Sequence, residues 1–407
     1  MKISVPFRLA CFLCMLVLVL VSATNGQPPS ESAKKPSATV GDDSDAEKSA
    51  DDPQPIDLAL VEKTTKAFDA KLDEWKSVLK EMRALKDKFP TADEAGAREI
   101  EKQYQQLITE GRGLIPQLRD LGIEAYNAAP EQDFALKNFL IKVAADDLTQ
   151  DRFESGLRVA ELLIEHNSER KEAYSAAGVA AFNLNEFDKA EKYFNSAEEK
   201  NALTPIARRV RPQVADYRKW WDREQKLREQ EAEADDLPRV SVTTSKGEIV
   251  FELFENEAPQ TVANFISLVE AEYYDGLSFH RVLMNFMAQG GCNKGDGTGN
   301  PGYNIYCECD PQKYPDFRRH FRGTISMAHA GQNTGGSQFF IMFAPRPGLD
   351  GKHTAFGRVV KGIEVLADIQ RRDPDNRKVA LAKPDRIIKA KVLRKRDHQY
   401  MPTKVED

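Results

Sequence analysis

The stretch "FHRVLMNFMAQGG", Phe279 to Gly291, sets a histidine and an arginine at the head of an apolar run and a glutamine near its end. Val282, Leu283, Met284, Phe286 and Met287 supply the apolar members, which predicts short strands over 279–283 and 286–290. A guanidinium and an amide in such a run have two explanations. Either they are stray polar groups satisfied locally, or they are donors aimed into an apolar pocket. Core packing accounts for Phe286 or Met287 taken singly. It accounts poorly for Arg281, because buried arginine is rare unless paired.

Two further stretches embed polar residues in apolar surroundings: "SMAHAGQNTGGSQFFI", Ser326 to Ile341, and "GLDGKHTAFGRV", Gly348 to Val359. They predict strands over 324–327, 338–343 and 355–359. Upstream, "RVSVTTSKGEIVFELF" alternates Val240, Val242 and Thr244, turns at Lys246-Gly247, then alternates Ile249, Phe251 and Leu253, the pattern of a β-hairpin. "APQTVANFISLVEAEYY" reads as a helix with Pro259 near its start and Val262, Phe265, Ile266 and Val269 on one face. Many short strands with two helices suggest a closed β-barrel.

Taken together, "FHRV…FMAQGG", "GSQFFI" and "LDGKHTAFGRV" resemble a cyclophilin, a peptidyl-prolyl isomerase, over about 155 residues from Arg239 to about Leu393. The resemblance implies a closed antiparallel barrel with two helices, the second starting near Lys361-Gly362 and including Ile363, Val365, Leu366 and Ile369. It implies Arg281 as the catalytic arginine, and Phe286, Met287, Phe340 and Leu349 as apolar walls around a proline ring. His353 then stands on the pocket rim, and Gln289 holds the arginine or a substrate carbonyl. Ala328, His329 and Ala330 match a strand whose backbone pairs with substrate, and Gln338 matches another cleft amide. His280 is then structural. The family most often has Asn where His329 stands, and often has Trp at the position of Gly348; that Trp favours cyclosporin binding, so weak cyclosporin binding is expected here. Neither metal nor cofactor is implied.

Before this region the pattern is helical. Phe68, Leu72, Trp75, Leu79, Met82 and Leu85 recur at three- and four-residue steps, and a second helix is expected from about 92 to 121, kinked or ended by Pro116. The pair predicts a helical hairpin over 57–128. Over 133–204, "DRFESGLRVAELL" and "NEFDKAEKYFNSA" place Phe153 and Phe187 34 positions apart, the period of a tetratricopeptide helix pair, which the second copy resembles more clearly. A plain helical bundle is the other reading. Residues 205–236 are highly charged and predict a solvated connecting helix, ended by Pro238; 239–395 form the cyclophilin-like domain and 396–407 a tail. The fold class expected is therefore multidomain, an all-α tetratricopeptide-like region followed by a barrel.

At the N-terminus, Lys2 and Arg8 precede an apolar run from Leu9 to Val21, then Val21-Ser22-Ala23, as in a secretory signal over 1–23. The run is short for a membrane span, although an uncleaved anchor remains the alternative. Residues 24–55, rich in Ser, Pro, Ala, Asp and Glu, predict a disordered linker. Cys11 and Cys14 leave with the signal, so three of the five cysteines remain, Cys292, Cys307 and Cys309, open to a disulfide, free thiols or a soft metal. Gly297-x-Gly299-x-x-Gly302 matches a dinucleotide pattern, but strand-like "YNIYCEC" follows it in place of a helix. A net charge of -6 argues against nucleic-acid binding, and the cluster Arg318, Arg319, His320 and Arg322 is expected to be a solvated face. The expected activity is isomerisation of X-Pro bonds in exported polypeptide clients, in the periplasm or cell envelope, assisting folding, with a protein partner on the helical region. The alternatives are a non-catalytic scaffold for proline segments and a holdase acting through the helices.

Overall fold

A computed structural model describes residues 57–130, 133–166, 170–376 and 382–406. The expected signal segment 1–23 and linker 24–55 lie outside the described residues. The chain divides into two compact units, one running through Val143 and including His166, the other comprising Ala144–Glu165 and the chain after the 166–168 segment.

The first unit is built on helices α1 (Leu58–Lys88) and α2 (Glu94–Ala128). Asp57 caps α1 by accepting from the backbone N–H of Ala59 and Leu60, and Asp93 caps α2 through Gly96. Phe68, Trp75, Leu79 and Met82 form the buried stripe of α1. The helix expected to be kinked or ended by Pro116 does not end there and runs on to Ala128. One missing N–H is outweighed because Ile115, Leu118 and Gly122 bury the same face on both sides of it.

The second unit takes in the end of α3 (Phe134–Thr149), then α4 (Phe153–Glu165), α5 (Glu172–Asn183), α6 (Phe187–Glu199), α7 (Pro205–Val210) and α8 (Val214–Ala234). α5 and α6 lie close because Gly178 admits the Phe194 ring; a Cβ there would sit 2.5 Å from it. α8 is exposed along much of its length, as its charge suggests, but one face of it is not solvated. Val214, Tyr217 and Glu224 are buried, and Tyr217 and Trp221 enclose Phe321, whose ring centroid is 4.8 Å from that of Trp221. The cluster around Arg318 is likewise no solvated face. The Arg318 guanidinium is buried, donates twice to Glu224 (2.8 and 2.9 Å), also to Glu231 and Glu257, and lies 3.8 Å over the Phe254 ring. Arg358 continues the network to Glu231 and Glu252. Charge on a helix face usually means solvent, but here both signs come from elements that pack together, so the pairs are buried whole.

The remaining strands are β1 (Arg239–Thr244), β2 (Gly247–Leu253), β3 (Arg281–Leu283), β4 (Met287–Gly290), β5 (Thr324–Met327), β6 (Phe339–Met342), β7 (Ala355–Lys361) and β8 (Ile387–Arg394), with α9 (Pro259–Glu270) between β2 and β3. All form one antiparallel sheet in the order β3-β4-β6-β5-β7-β2-β1-β8. The expected closed barrel is corrected: β3 and β8 share no ladder, and the sheet curls into a half-barrel. The chain just before β3 does meet the start of β8: Ser278 bridges Arg386, Gly276 donates to the carbonyl of Ile387, and Ile387 donates to that of Leu277. Val240, Val242, Ile249, Phe251, Phe265, Ile325, Phe339 and Phe356 fill the concave side as one core. The expected second helix shrinks to α10 (Val365–Asp368), whose Val365 and Leu366, with Ile369, still plug that core. "YNIYCEC" forms no strand; Ile305 makes single bridges to Gly335 and Lys404.

Candidate active site

β3 and β4 pair with Arg281 opposite Gln289 and Leu283 opposite Met287, and β4 pairs with β6 so that Gln289 faces Phe340. Strand alternation sends Met287 and Phe340 to the convex side, away from the main core, where they cluster with Met342 under Leu283, Phe286, Ala328 and Leu349. This second, smaller apolar cluster floors a cleft of about 530 Å³. Every residue singled out from the sequence lines it: Arg281, Phe286, Met287, Gln289, Ala328, His329, Ala330, Gln338, Phe340, Leu349 and His353.

Arg281 stands at the mouth and is partly exposed, not buried. Among the described residues it meets one carboxylate, the largely exposed Asp375 at 3.9 Å, and its Cζ lies 6.0 Å from the Phe286 ring centroid. An exposed pair at that distance holds the guanidinium weakly, so its donors remain available to a ligand. Gln289 does not hold Arg281. Its Nε2 donates to Oε1 of Gln338 (3.0 Å), whose own Nε2 donates to the carbonyls of Gly297 and Gly299 at 2.8 Å each. The glycine pattern Gly297-x-Gly299 is thus a cleft-lining loop organised by an amide relay.

Cys292 organises the same loop as a buried free thiol, with Sγ accepting from the N–H groups of Gly297 (3.3 Å) and Gly299 (3.2 Å). Cys307 and Cys309 are also free. The Cys309 thiol and the N–H of Asn333 hold Cys307 below the usual thiol range, while the contact with Cys307, aided by burial, pushes Cys309 up.

On the opposite wall β5 ends at Met327, so 328–330 lies beyond the strand, with a bend at Ala330. The N–H of Ala328 donates to Gln338 O, and that of Ala330 to Thr334 Oγ1. His353 donates from Nδ1 to Met327 O (3.1 Å), meets Phe340 edge-on and stacks on His329 with centroids 4.2 Å apart. Burial, with His329 beside it, lowers His353 to about 4, so it is neutral at neutral pH. Behind Phe340, the ring nitrogens of His320 contact Asp350 and Ser326 at 2.9 Å each. His280 is buried with neither ring nitrogen partnered among the described residues, and burial lowers its pKa.

Sequence reasoning missed Thr298, Asn300, Asn304, Thr334, Gly336 and Ser337, which complete the lining. The regular expression through Gly297 and Gly299 was the one signal for that loop. Sequence reasoning also missed Glu308, which lies between the two cysteines and accepts from the N–H groups of Gln260 and Thr261 to cap α9 from 48 and 47 positions away.

A half-barrel with an apolar cleft, rimmed by one guanidinium and several amides, defines a domain with a site for an apolar group flanked by hydrogen-bonding ones. Residues 239–392 match the family model for the cyclophilin type peptidyl-prolyl cis-trans isomerase/CLD. A peptidyl-prolyl cis-trans isomerase of Synechococcus elongatus is 49% identical over 159 residues, 39% of this chain and 97% of the relative. One from Helicobacter pylori is 50% identical over 138 residues, covering 33% of this chain and 81% of the relative. The Bacillus subtilis isomerase B is 50% identical over 125 residues, 31% of this chain and 85% of the relative. The chain belongs to the cyclophilin-type peptidyl-prolyl isomerases, and it is an enzyme of that activity.

Proposed function

We propose that Arg281 is the catalytic donor and that Phe286, Met287, Phe340, Leu349 and His353 seat the proline ring. Rotation about an X-Pro bond faces a barrier of about 20 kcal/mol from amide resonance, and no covalent bond is made or broken. In the twisted state the prolyl nitrogen regains its lone pair and becomes an acceptor. A guanidinium donating to that nitrogen stabilises the twisted state more than either planar one, and only such differential binding lowers the barrier. A 10⁵-fold acceleration requires about 7 kcal/mol. Arginine suits the role because it stays charged and its donors are rigidly arrayed. The apolar floor fixes the ring while the preceding carbonyl turns.

The observation that carries this reading is the convergence of one weakly paired guanidinium and the apolar cluster on a single cleft. In a protease-coupled assay on a prolyl peptide, Arg281→Ala is expected to lower kcat/KM by about 100-fold, the scale of losing one transition-state donor. Equal rates for the two proteins overturn it.

Its substrates are X-Pro segments of exported polypeptides whose folding it assists, in the periplasm or cell envelope. The support is the signal-like pattern from Lys2 to Ala23. Fractionation with N-terminal sequencing is expected to find a mature chain starting near residue 24 outside the cytoplasm. The 34-residue offset between Phe153 and Phe187 supports a tetratricopeptide-like character for the helices, and with it a role in binding a partner or client. Pull-down with residues 57–235 tests it.

A further inference from the structure

The hairpin that carries Arg281, Phe286, Met287 and Gln289 turns at Met284-Asn285, with Asn285 in the left-handed region (φ 54). Both peptide groups of that turn residue are held from outside the hairpin. The N–H of Asn285 donates to Oδ1 of Asp151 at 2.7 Å, and its carbonyl accepts from Arg346. Asp151 lies 134 positions upstream, in the turn between α3 and α4, itself left-handed (φ 62) and buried.

Its other carboxylate oxygen accepts from Arg371 at 2.6 Å. Arg371 is anchored in turn by the carbonyls of Gln150, Leu366 and Ile369, and lies 4.5 Å over the Phe343 ring. Phe343 donates its N–H to the carbonyl of Phe286, and Arg372, the next residue, exchanges two backbone hydrogen bonds with Val282. The contacts form a closed circuit: Asp151 to the turn, the turn to the pocket floor, the floor to Phe343, and Arg371 back to Asp151. No local requirement of a helix–helix turn calls for a buried carboxylate aimed outward at another element's N–H, where leaving either charge unpaired would be costly.

We infer that Asp151 is a positioning residue of the isomerase centre, by which the helical region sets the placement of the β3–β4 hairpin. The inference rests on the role proposed for Arg281. A three-residue β3 and a four-residue β4 have few hydrogen bonds of their own, so a turn released at Asn285 lets the hairpin shift. Sub-ångström slack between donor and ring matters more in the twisted state than in the ground state. The consequence falls on kcat more than on KM.

The test uses the full chain well below the melting temperature of each variant. Asp151→Ala is expected to lower kcat about tenfold with KM within about twofold, and to shift the Met287 methyl resonance. Asp151→Asn keeps an oxygen for the Asn285 N–H and suits the left-handed backbone, so it is expected to restore kcat to within about threefold of wild type. Leu157→Ala, which loosens α4 among Ala160, Ala177 and Ala180, is expected to lower stability without changing kcat. If Asp151→Ala does not fold, Arg371→Met is read in its place, with the same fall in kcat expected. Unchanged kcat in the folded variant, or an equal fall in Leu157→Ala, overturns the inference. An inert Arg281→Ala would instead remove the reading beneath it, so the two failures are distinct.

Discussion

Arg281, His353 and Gly348 show how single positions set what the cleft does. His353 carries two polar-facing edges yet sits against Phe340 and His329, and its depression to about 4 makes it an uncharged wall of the pocket at neutral pH. Its folded value lies below its unfolded value of about 6.5, so the stability it contributes is fully present above about 6.5 and is lost as pH falls toward 4. The imidazole resonance of His353 is expected to titrate with a midpoint near 4, against a midpoint near 6.5 if the ring were solvated. Gly348 departs from the family's frequent Trp, and a Cβ there would meet nothing within 4 Å. Gly348→Trp should therefore be accommodated and should tighten cyclosporin binding about tenfold, the worth of partly burying one aromatic face, with kcat/KM unchanged. Isothermal titration of both proteins decides it, and equal affinities contradict the expectation.

Elements meet through charge as much as through apolar contact. Arg318, between the cysteines and β5, binds Glu224 and Glu231 of α8, so replacing it leaves Glu224 to Arg228 and Glu231 to Arg358. Arg318→Met is expected to cost about 3–5 kcal/mol at pH 7 by urea denaturation. For Glu224, burial opposes ionisation, but Arg318 and Arg228 outweigh it and hold the carboxyl below its ordinary range. Its contribution is thus present above about pH 4.3 and lost as pH falls through the lower folded value. In the variant Glu224 keeps Arg228 alone, so burial opposes its ionisation with the compensation from Arg318 removed. The deficit relative to wild type should narrow on acidification from pH 7 to 4, and a constant deficit would show that Arg228 and Arg358 suffice to keep the carboxylates ionised.

At the scale of the second unit, the isomerase domain and α8 share a core through Phe321 and a buried ion network through Arg318 and Arg358. A chain starting at Arg239 exposes Phe321 and removes Glu224 and Glu231, leaving Arg318 only Glu257 and Arg358 only Glu252 among the described residues, whereas one starting at Asp133 keeps the network whole. The shorter chain is expected to melt at least about 10 °C lower, given several kcal/mol of lost burial and about 2–4 °C for each. Differential scanning calorimetry measures this, and equal melting temperatures would mean that α8 is a passive linker.

Part of the cleft was legible in the sequence: Arg281 and Gln289 stood out because polar residues in an apolar run are costly unless they serve a pocket, and the cyclophilin resemblance implied Phe340 and His353. The sequence by itself determined the hairpin, α9 and the helix pairs, since period-2 and period-3.6 patterns reflect local backbone geometry. Sheet closure, the length of α10, the burial of the Arg318 cluster, the cap from Glu308 and the brace from Asp151 were decided by tertiary structure alone. Each depends on which distant groups come within hydrogen-bonding distance, and a charge carries no mark in sequence of whether its partner will be water or a buried carboxylate.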